Sequence, residues 1–425
     1  MYHESVTHRV IRPDWLAELL GGVLHPPTSP ATDLIWDSRL VQAGSLFVAL
    51  PGRTHHGRIF AQEALKRGAA FVLTDASHPS ALQVADPYLG LLKLGAELRR
   101  EFARPVVAVG GSSGKTSTKE ALAQALGWPA PPGNLNTAPA LARFFFQLDA
   151  QAPGAVVELG IDRPGEMAEL QQLSQPTLAL ITALGPEHLE GFGSLERALE
   201  EEARLLATPQ VLLSEQAGEI LHQPAERVYG FKWGAFRGEN LRMLPERSYF
   251  RYRGLEIHVP YPGQGPALAA LAALAAGELL GAPLEMMAER LGQLQLPSGR
   301  MERLVRKGIW ILHDAYNANP LSVLLGLEFL AQQEGTKWLV LGEMKELGSE
   351  ARRYHLEIAR RAAQISPHCL FLGSFAKEQA EVSGGTALNS LDELREALQA
   401  VRPGQWVYLK ASRSLGLERI LEVWP

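Results

Sequence analysis

The sequence predicts an α/β protein of three domains: a small amino-terminal α/β domain, a central domain on a mostly parallel sheet, and a carboxy-terminal doubly wound α/β domain. Three observations carry that prediction. At 425 residues the chain is too long for one compact core, since a domain takes roughly 100 to 200. Apolar runs of strand length alternate with helical stretches, the pattern of parallel strands whose crossovers bury both sheet faces. The alternation pauses at residues 241–259, and restarts beyond residues 296–299 (LPSG), which read as a hinge.

In chain order, the first 84 residues hold two apolar runs, 45–50 (SLFVAL) and 69–73 (AAFVL), around a helical pattern at 58–67. A polar stretch at 75–79 and a helix-like segment at 89–102 lead to residues 106–109 (VVAV), a fully apolar strand. Further strands are expected at 156–159, 178–182 and 211–214. Short alternating segments at 241–259 suggest antiparallel strands before an Ala/Leu-rich helix from Ala267. The third domain is expected to place strands at 309–312, 338–341, 370–372 and 407–409 between helices at 321–332, 350–363 and 391–400. The boundaries fall at 1–84, 85–297 and 298–425.

Composition removes whole classes of function. Hydrophobic residues make up 46% and charged residues 20%, an ordinary globular balance. With 46 acidic against 41 basic side chains, the net charge of −5 gives no general attraction to nucleic acid or anionic membranes. Cys369 is the only cysteine, so neither an internal disulfide nor a cysteine zinc cluster can form, and the expected home is the reducing cytoplasm. No signal peptide is seen in the first residues, and the bland run 267–277 is far too short to span a membrane.

The most informative stretch is 106–120, VVAVGGSSGKTSTKE: an apolar strand, a Gly/Ser loop, then Lys115, Thr116 and a helix. Small residues let the backbone curl so that N–H groups meet phosphate oxygens, and the following helix adds its positive end. The central domain is therefore expected to be of the P-loop ATPase type, with Gly111, Ser112, Ser113, Gly114, Lys115, Thr116 and Ser117 around the nucleotide. Lys115 is expected to reach the β and γ phosphates and the Thr116 hydroxyl to hold Mg2+. The generic motif is missed by one position, because Val109 stands where its first glycine belongs. A bare Gly-rich turn with an incidental lysine is the bland reading. Glu158 closes one following strand and His188 follows another, and ligands of open α/β sheets bind beyond such strand ends. Each alone could equally be a loop capper or a surface residue.

The segments 111–116 (GSSGKT), 133–137 (GNLNT), Glu158 and 185–194 (GPEHLEGFGS) together resemble the Mur ligase family of ATP-dependent amide-bond-forming enzymes. Residues 314–320 (DAYNANP), 341–348 (LGEMKELG), 410–418 (KASRSLGLE) and 37–52 resemble the branch that adds D-alanyl-D-alanine, so the likeness spans nearly the whole chain in order. It implies a UDP-sugar-binding first domain, a central ATP-binding domain and a closing third domain. It also implies metal roles for Thr116, Glu158 and His188, and ATP contacts from Arg300, Asp314 and Asn317. Ser38, Arg39, Asn136, Thr137, Lys410, Ser412 and Arg413 are implied as substrate contacts. In isolation Asn317 and Asn319 before Pro320 would make a turn, Arg300 would be a solvated hinge residue, and Arg39 an ion pair within its own Asp-Ser-Arg turn.

Two departures from the family pattern stand out. Where most of the family carries a carbamylated lysine on the helix after GFGS, an ungapped count reaches Glu202, in ALEEEARL. A glutamate offers a carboxylate directly, so Glu202 is expected to replace the modified lysine as a catalytic and metal-site residue, with Glu201 one position away. A solvated acidic helix face is the alternative. At 263–273 (GQGPALAALAA), Gly265 and Ala269 stand where the family often has His and Asn.

The resemblance implies that a tripeptide carboxylate on UDP-N-acetylmuramoyl-tripeptide attacks the γ-phosphate of ATP, and that D-alanyl-D-alanine then attacks the acyl phosphate. Lys115 and Mg2+ offset the crowded negative charge of the first step. The chain is expected to act as a monomer, without nucleic acid or membrane anchor. Another amino-acid-adding Mur-type ligase, and a P-loop nucleotide switch, remain as alternatives.

Overall fold

The computed structural model describes residues 9–52 and 55–424. Among the described residues two compact units form, one drawn from 9–52, 55–108, 129–160 and 167–177, the other from 109–128, 161–166 and 178–424.

In the first unit a five-stranded sheet runs, in spatial order, Val23–His25, Ala81–Gln83, Phe71–Thr74, Ser45–Val48 and Asp33–Ile35. Only the Val23–His25 edge is antiparallel. The two runs read as strands are its centre, with Phe47, Val48, Phe71, Val72 and Leu73 wholly buried, as two-sided burial of parallel strands requires. The helical pattern at 58–67 resolves into a 3-10 turn, Gly57–Phe60, and the helix Ala61–Lys66. In the same unit Arg99 is buried and spends its guanidinium on the carbonyls of Phe102, Ser174 and Gln175, and Arg143 is paired with Asp33 at 2.7 Å.

The central sheet is ordered Phe236–Arg237, Val228–Gly230, Gln210–Ser214, Leu178–Ile181, Val106–Gly110 and Ala155–Glu158. The segment read as antiparallel is a three-stranded antiparallel sheet, Glu239–Met243, Ser248–Tyr252 and Leu255–Val259. Its successor, the helix Gln264–Leu279, is apolar all round because it is buried all round. Its alanines let it lie close against Lys115–Leu126, the helix that begins at the Gly/Ser loop, whose Ala121, Leu122 and Ala125 are also buried.

The last sheet runs Glu302–Arg306, Ile309–His313, Trp406–Lys410, Lys337–Leu341, His368–Leu372 and Thr386–Leu388. It is parallel apart from the Glu302–Arg306 edge, which sequence periodicity missed. Helices cover both faces, with Leu327, Phe329 and Ala359 on one side and Leu394, Leu398 and Ile420 on the other. This is the doubly wound arrangement expected. Among the described residues no helix is long and apolar enough to cross a membrane.

Candidate active site

The loop after strand Val106–Gly110 turns through two left-handed glycines, Gly111 at φ 114° and Gly114 at φ 90°, and Gly114 opens the helix Lys115–Leu126. A Cβ on Gly111 would lie 2.3 Å from Thr182 Oγ1, so only glycine fits there. Thr182 cannot yield easily: it is buried, and its hydroxyl donates to Gly110 O at 2.9 Å.

The amides of this loop are not all turned to a ligand, contrary to the sequence expectation. Gly111 N–H donates to Glu202 Oε2 at 2.8 Å, and the N–H groups of Ser112 and Ser113 donate to Ala183 O at 2.8 and 3.1 Å. The Ser112 hydroxyl accepts from Gly185 N–H, and its carbonyl accepts from Asn319 Nδ2 at 3.1 Å. The strand side of the loop is thus stitched into the fold, and the anion-attracting end of the helix starts at Gly114.

Lys115 extends back over the loop, its Nζ 2.6 Å from Gly111 O and 2.7 Å from Glu187 Oε2. Both side chains of that ion pair are largely buried. Sequence reasoning gave Glu187 no role, although it lies beside His188 in the quoted segment. Thr116 is buried.

Glu202 lies beneath the loop. It is 5% exposed, and burial pushes its carboxyl up to about 7, against the opposing pull of the Lys115 charge and the Gly111 N–H bond. Glu201, one residue away, is spent elsewhere: it accepts from Gly165 N–H at 2.9 Å and pairs with Arg204. The ungapped count therefore lands on the carboxylate that touches the phosphate loop.

His188 has left-handed backbone, φ 52°, at the start of the short helix Leu189–Phe192. Its Nδ1 lies 2.8 Å from Glu346 Oε2 and 3.1 Å from Asp162 Oδ1. Burial by itself would lower its pKa, but the Glu346 hydrogen bond and the Glu187 and Glu346 charges outweigh burial and hold it above the ordinary histidine range. Glu346 lies in the quoted segment 341–348 but was given no role there, and Asp162 lay in no quoted segment.

The residues from the hinge and last sheet are arranged less uniformly. Asp314 and Lys410 form a buried ion pair at 2.7 Å, and Asp314 also accepts from Met301 N–H. Ser412 is buried, its hydroxyl accepting from Lys345 N–H. Lys410 and Ser412 hold the fold here. Arg300 and Arg413 share the Tyr316 ring, at 4.2 and 5.5 Å from its centroid, and Arg300 Nε has no hydrogen-bond partner among the described residues. Asn317 is exposed and bonds its neighbour Ala318 N–H, while Asn319 caps the helix Pro320–Ala331, so the turn chemistry read from these asparagines is present.

In the other unit, Glu158 is buried and accepts from Asn136 Nδ2 at 2.9 Å, with Asn136 O also receiving Gly160 N–H. Thr137 is exposed and precedes the helix Ala138–Gln147 without capping it through its side chain. Ser38 opens a 3-10 turn, and Arg39 is clamped to Asp37 by three side-chain contacts of 2.9, 3.2 and 2.6 Å, the self-satisfied turn. No three His, Cys, Asp or Glu side chains among the described residues form a metal-holding cluster.

A strand-to-helix phosphate loop with a lysine, a buried carboxylate beneath it and a doubly wound sheet in the last part of the chain define a nucleotide-using α/β protein, and models of one family cover all three parts. Residues 33–98 match "Mur ligase family, catalytic domain", residues 109–277 "Mur ligase middle domain" and residues 299–413 "Mur ligase, glutamate ligase domain". The chain belongs to the Mur ligase family. It is 30% identical to the UDP-N-acetylmuramoyl-tripeptide--D-alanyl-D-alanine ligase of Treponema pallidum, over 91% of this chain and 92% of that one. A crystal structure of MurF from Acinetobacter baumannii superposes with TM-score 0.90 at 26% identity, covering 98% and 99% of the two chains. MurF ligase from Thermotoga maritima, solved in complex with ADP, gives 0.83 at 26% identity, covering 92% and 96%.

Proposed function

We propose that this chain is an ATP-dependent ligase that joins D-alanyl-D-alanine to the tripeptide carboxylate of a UDP-N-acetylmuramoyl-tripeptide, releasing ADP and phosphate in the cytoplasmic synthesis of a peptidoglycan precursor. The observation that carries it is the Lys115 loop with Glu202 and His188 around it, in a chain matched end to end by relatives that bear that ligase name. Residues 1–84 take the UDP-sugar, residues 85–297 the ATP, and residues 298–425 close over the site.

A carboxylate is a poor acylating agent, so its oxygen is first phosphorylated. Lys115 exchanges Glu187 and Gly111 O for phosphate oxygens and so offsets the repulsion between two anions. The D-alanyl-D-alanine amine then adds to the acyl phosphate carbon, and inorganic phosphate leaves with the bonding pair of the broken C–O bond. Arg300, with an unpartnered buried Nε, suits the terminal phosphate; Asp314 and Asn317 serve ribose and adenine.

The donors suit Mg2+, a hard ion that is commonly held by one or two carboxylates with phosphates and water rather than by a protein cage. Thr116, Glu158, His188 and Glu202 are the residues that would hold it, with Glu202 standing in place of a carbamylated lysine. When bound, it supplies positive charge beside the phosphates. Ser38, Arg39, Asn136, Thr137 and Arg413 are assigned to the UDP-tripeptide and the dipeptide.

Phosphate release with ATP and UDP-N-acetylmuramoyl-tripeptide, with and without D-alanyl-D-alanine, tests the reading. Sustained release should require the dipeptide. Release indifferent to it would point to a nucleotide switch, and dependence on a single amino acid instead would point to another ligase of the family.

A further inference from the structure

We propose that Glu346 is a positioning residue for His188, holding the imidazole so that Nε2 faces the reacting phosphates. Asp162 and Glu346 both approach Nδ1, at 3.1 and 2.8 Å, and an ionised carboxylate can only accept a hydrogen bond. The proton therefore sits on Nδ1, and Nε2 is the atom left for a ligand. Carboxylates that fix a histidine in this way set both its tautomer and its aim toward a metal.

Of the two, Glu346 makes the shorter contact and comes from the more distant segment. It has left-handed backbone, φ 68°, and its carbonyl accepts from Glu190 N–H at 3.4 Å on the helix that His188 opens. Gly348, two residues on, packs against the same Glu190 backbone. Side chain and main chain of the 341–348 loop thus both hold the start of one turn, Leu189–Phe192. Asp162 is 62% exposed against 50% for Glu346, stands farther from Nδ1, and packs its carbonyl against Gly191 of the same turn. His188 and Asp162 lie in the middle-domain segment and Glu346 in the last one, so the ring gains its shorter hydrogen bond only while the 341–348 loop is docked. The docked loop thereby reports its arrival to the phosphate site.

The inference rests on the proposed function for the metal, but not for the tautomer. Selective 15N-histidine labelling of the metal-free chain, at a pH high enough for the ring to be neutral and with His188 assigned by its loss in His188→Ala, reads the tautomer directly. The wild type should show a protonated Nδ1, and Glu346→Ala should shift toward a mixture of tautomers. Glu346→Gln keeps an oxygen acceptor and should keep the wild-type pattern. Mn2+ titration followed by electron paramagnetic resonance, in the presence of a non-hydrolysable ATP analogue, should show about tenfold or greater weakening in Glu346→Ala and little change in Glu346→Gln. Equal tautomers and equal Mn2+ affinity in wild type and Glu346→Ala would overturn the inference alone. A wild type in which Mn2+ adds nothing to nucleotide binding would overturn the metal reading and this inference with it.

Discussion

Substituting Glu202 by Gln separates what this carboxylate costs the fold from what it does for chemistry. Burial raises its pKa from 4.5 in the unfolded chain to about 7 in the folded one. Below pH 4.5 both states bind the proton and the group is neutral in each. Between 4.5 and 7 the unfolded state ionises first, so stability is lost as pH rises, and above 7 the loss is complete. A difference of 2.5 units at 1.36 kcal/mol each gives about 3 kcal/mol, of which about 2 to 3 kcal/mol develops between pH 5 and pH 8. The substituted amide would keep an oxygen for the Gly111 N–H and carry no charge at either pH. Relative to wild type, Glu202→Gln should therefore gain about 2 to 3 kcal/mol on going from pH 5 to pH 8, a rise in melting temperature on the order of 5 °C for a domain of this size. Thermal melts of both proteins at the two pH values, in EDTA and without nucleotide, measure it, and comparing differences cancels any pH-independent packing change. Ligase turnover of the same variant should fall by orders of magnitude. A stability difference that does not vary with pH would show that Glu202 is ionised and solvated in the folded chain, and near-normal turnover would remove it from the reaction.

Two further substitutions bear on other parts of the site. Gly111→Ala puts a Cβ 2.3 Å from Thr182 Oγ1 at a φ of 114°, so the loop must shift; ADP affinity by calorimetry should drop at least ~100-fold, about 3 kcal/mol. Unchanged affinity would mean that this bend does not shape the nucleotide site. Lys410→Met leaves Asp314 buried with only Tyr408 OH at 3.3 Å and Met301 N–H, and should cost about 3 to 5 kcal/mol of stability, part of it recovered by adding Asp314→Asn. A Lys410→Met protein that melts like wild type but has a raised KM for substrate would return Lys410 to the binding role that the resemblance implied.

The legible part of this protein was local. Strand-length apolar runs and their spacing encode the sheets because a buried parallel strand needs continuous apolar sequence, and the Gly/Ser loop is written in consecutive residues whose backbone need is visible one position at a time. The antiparallel edge Glu302–Arg306 escaped because its alternation is short and its residues are mostly charged. The roles of Asn317 and Asn319 in their turn, and of Arg39 with Asp37, were likewise readable from near neighbours.

What amino-acid order alone determined is the architecture, the position of the phosphate loop and the family the chain belongs to, all of which rest on residues close together in sequence or on motifs in fixed order. Tertiary structure decided which polar groups meet. Glu202 rather than Glu201 receives Gly111, 91 residues away; Lys115 rests on Glu187; Glu346 reaches His188; and Lys410 is consumed by Asp314 across 96 residues. Periodicity says that a charged residue lies on a helix or at a strand end, but its partner is chosen by burial, which makes an unpaired charge costly and leaves each carboxylate with the donor that packing brings within reach.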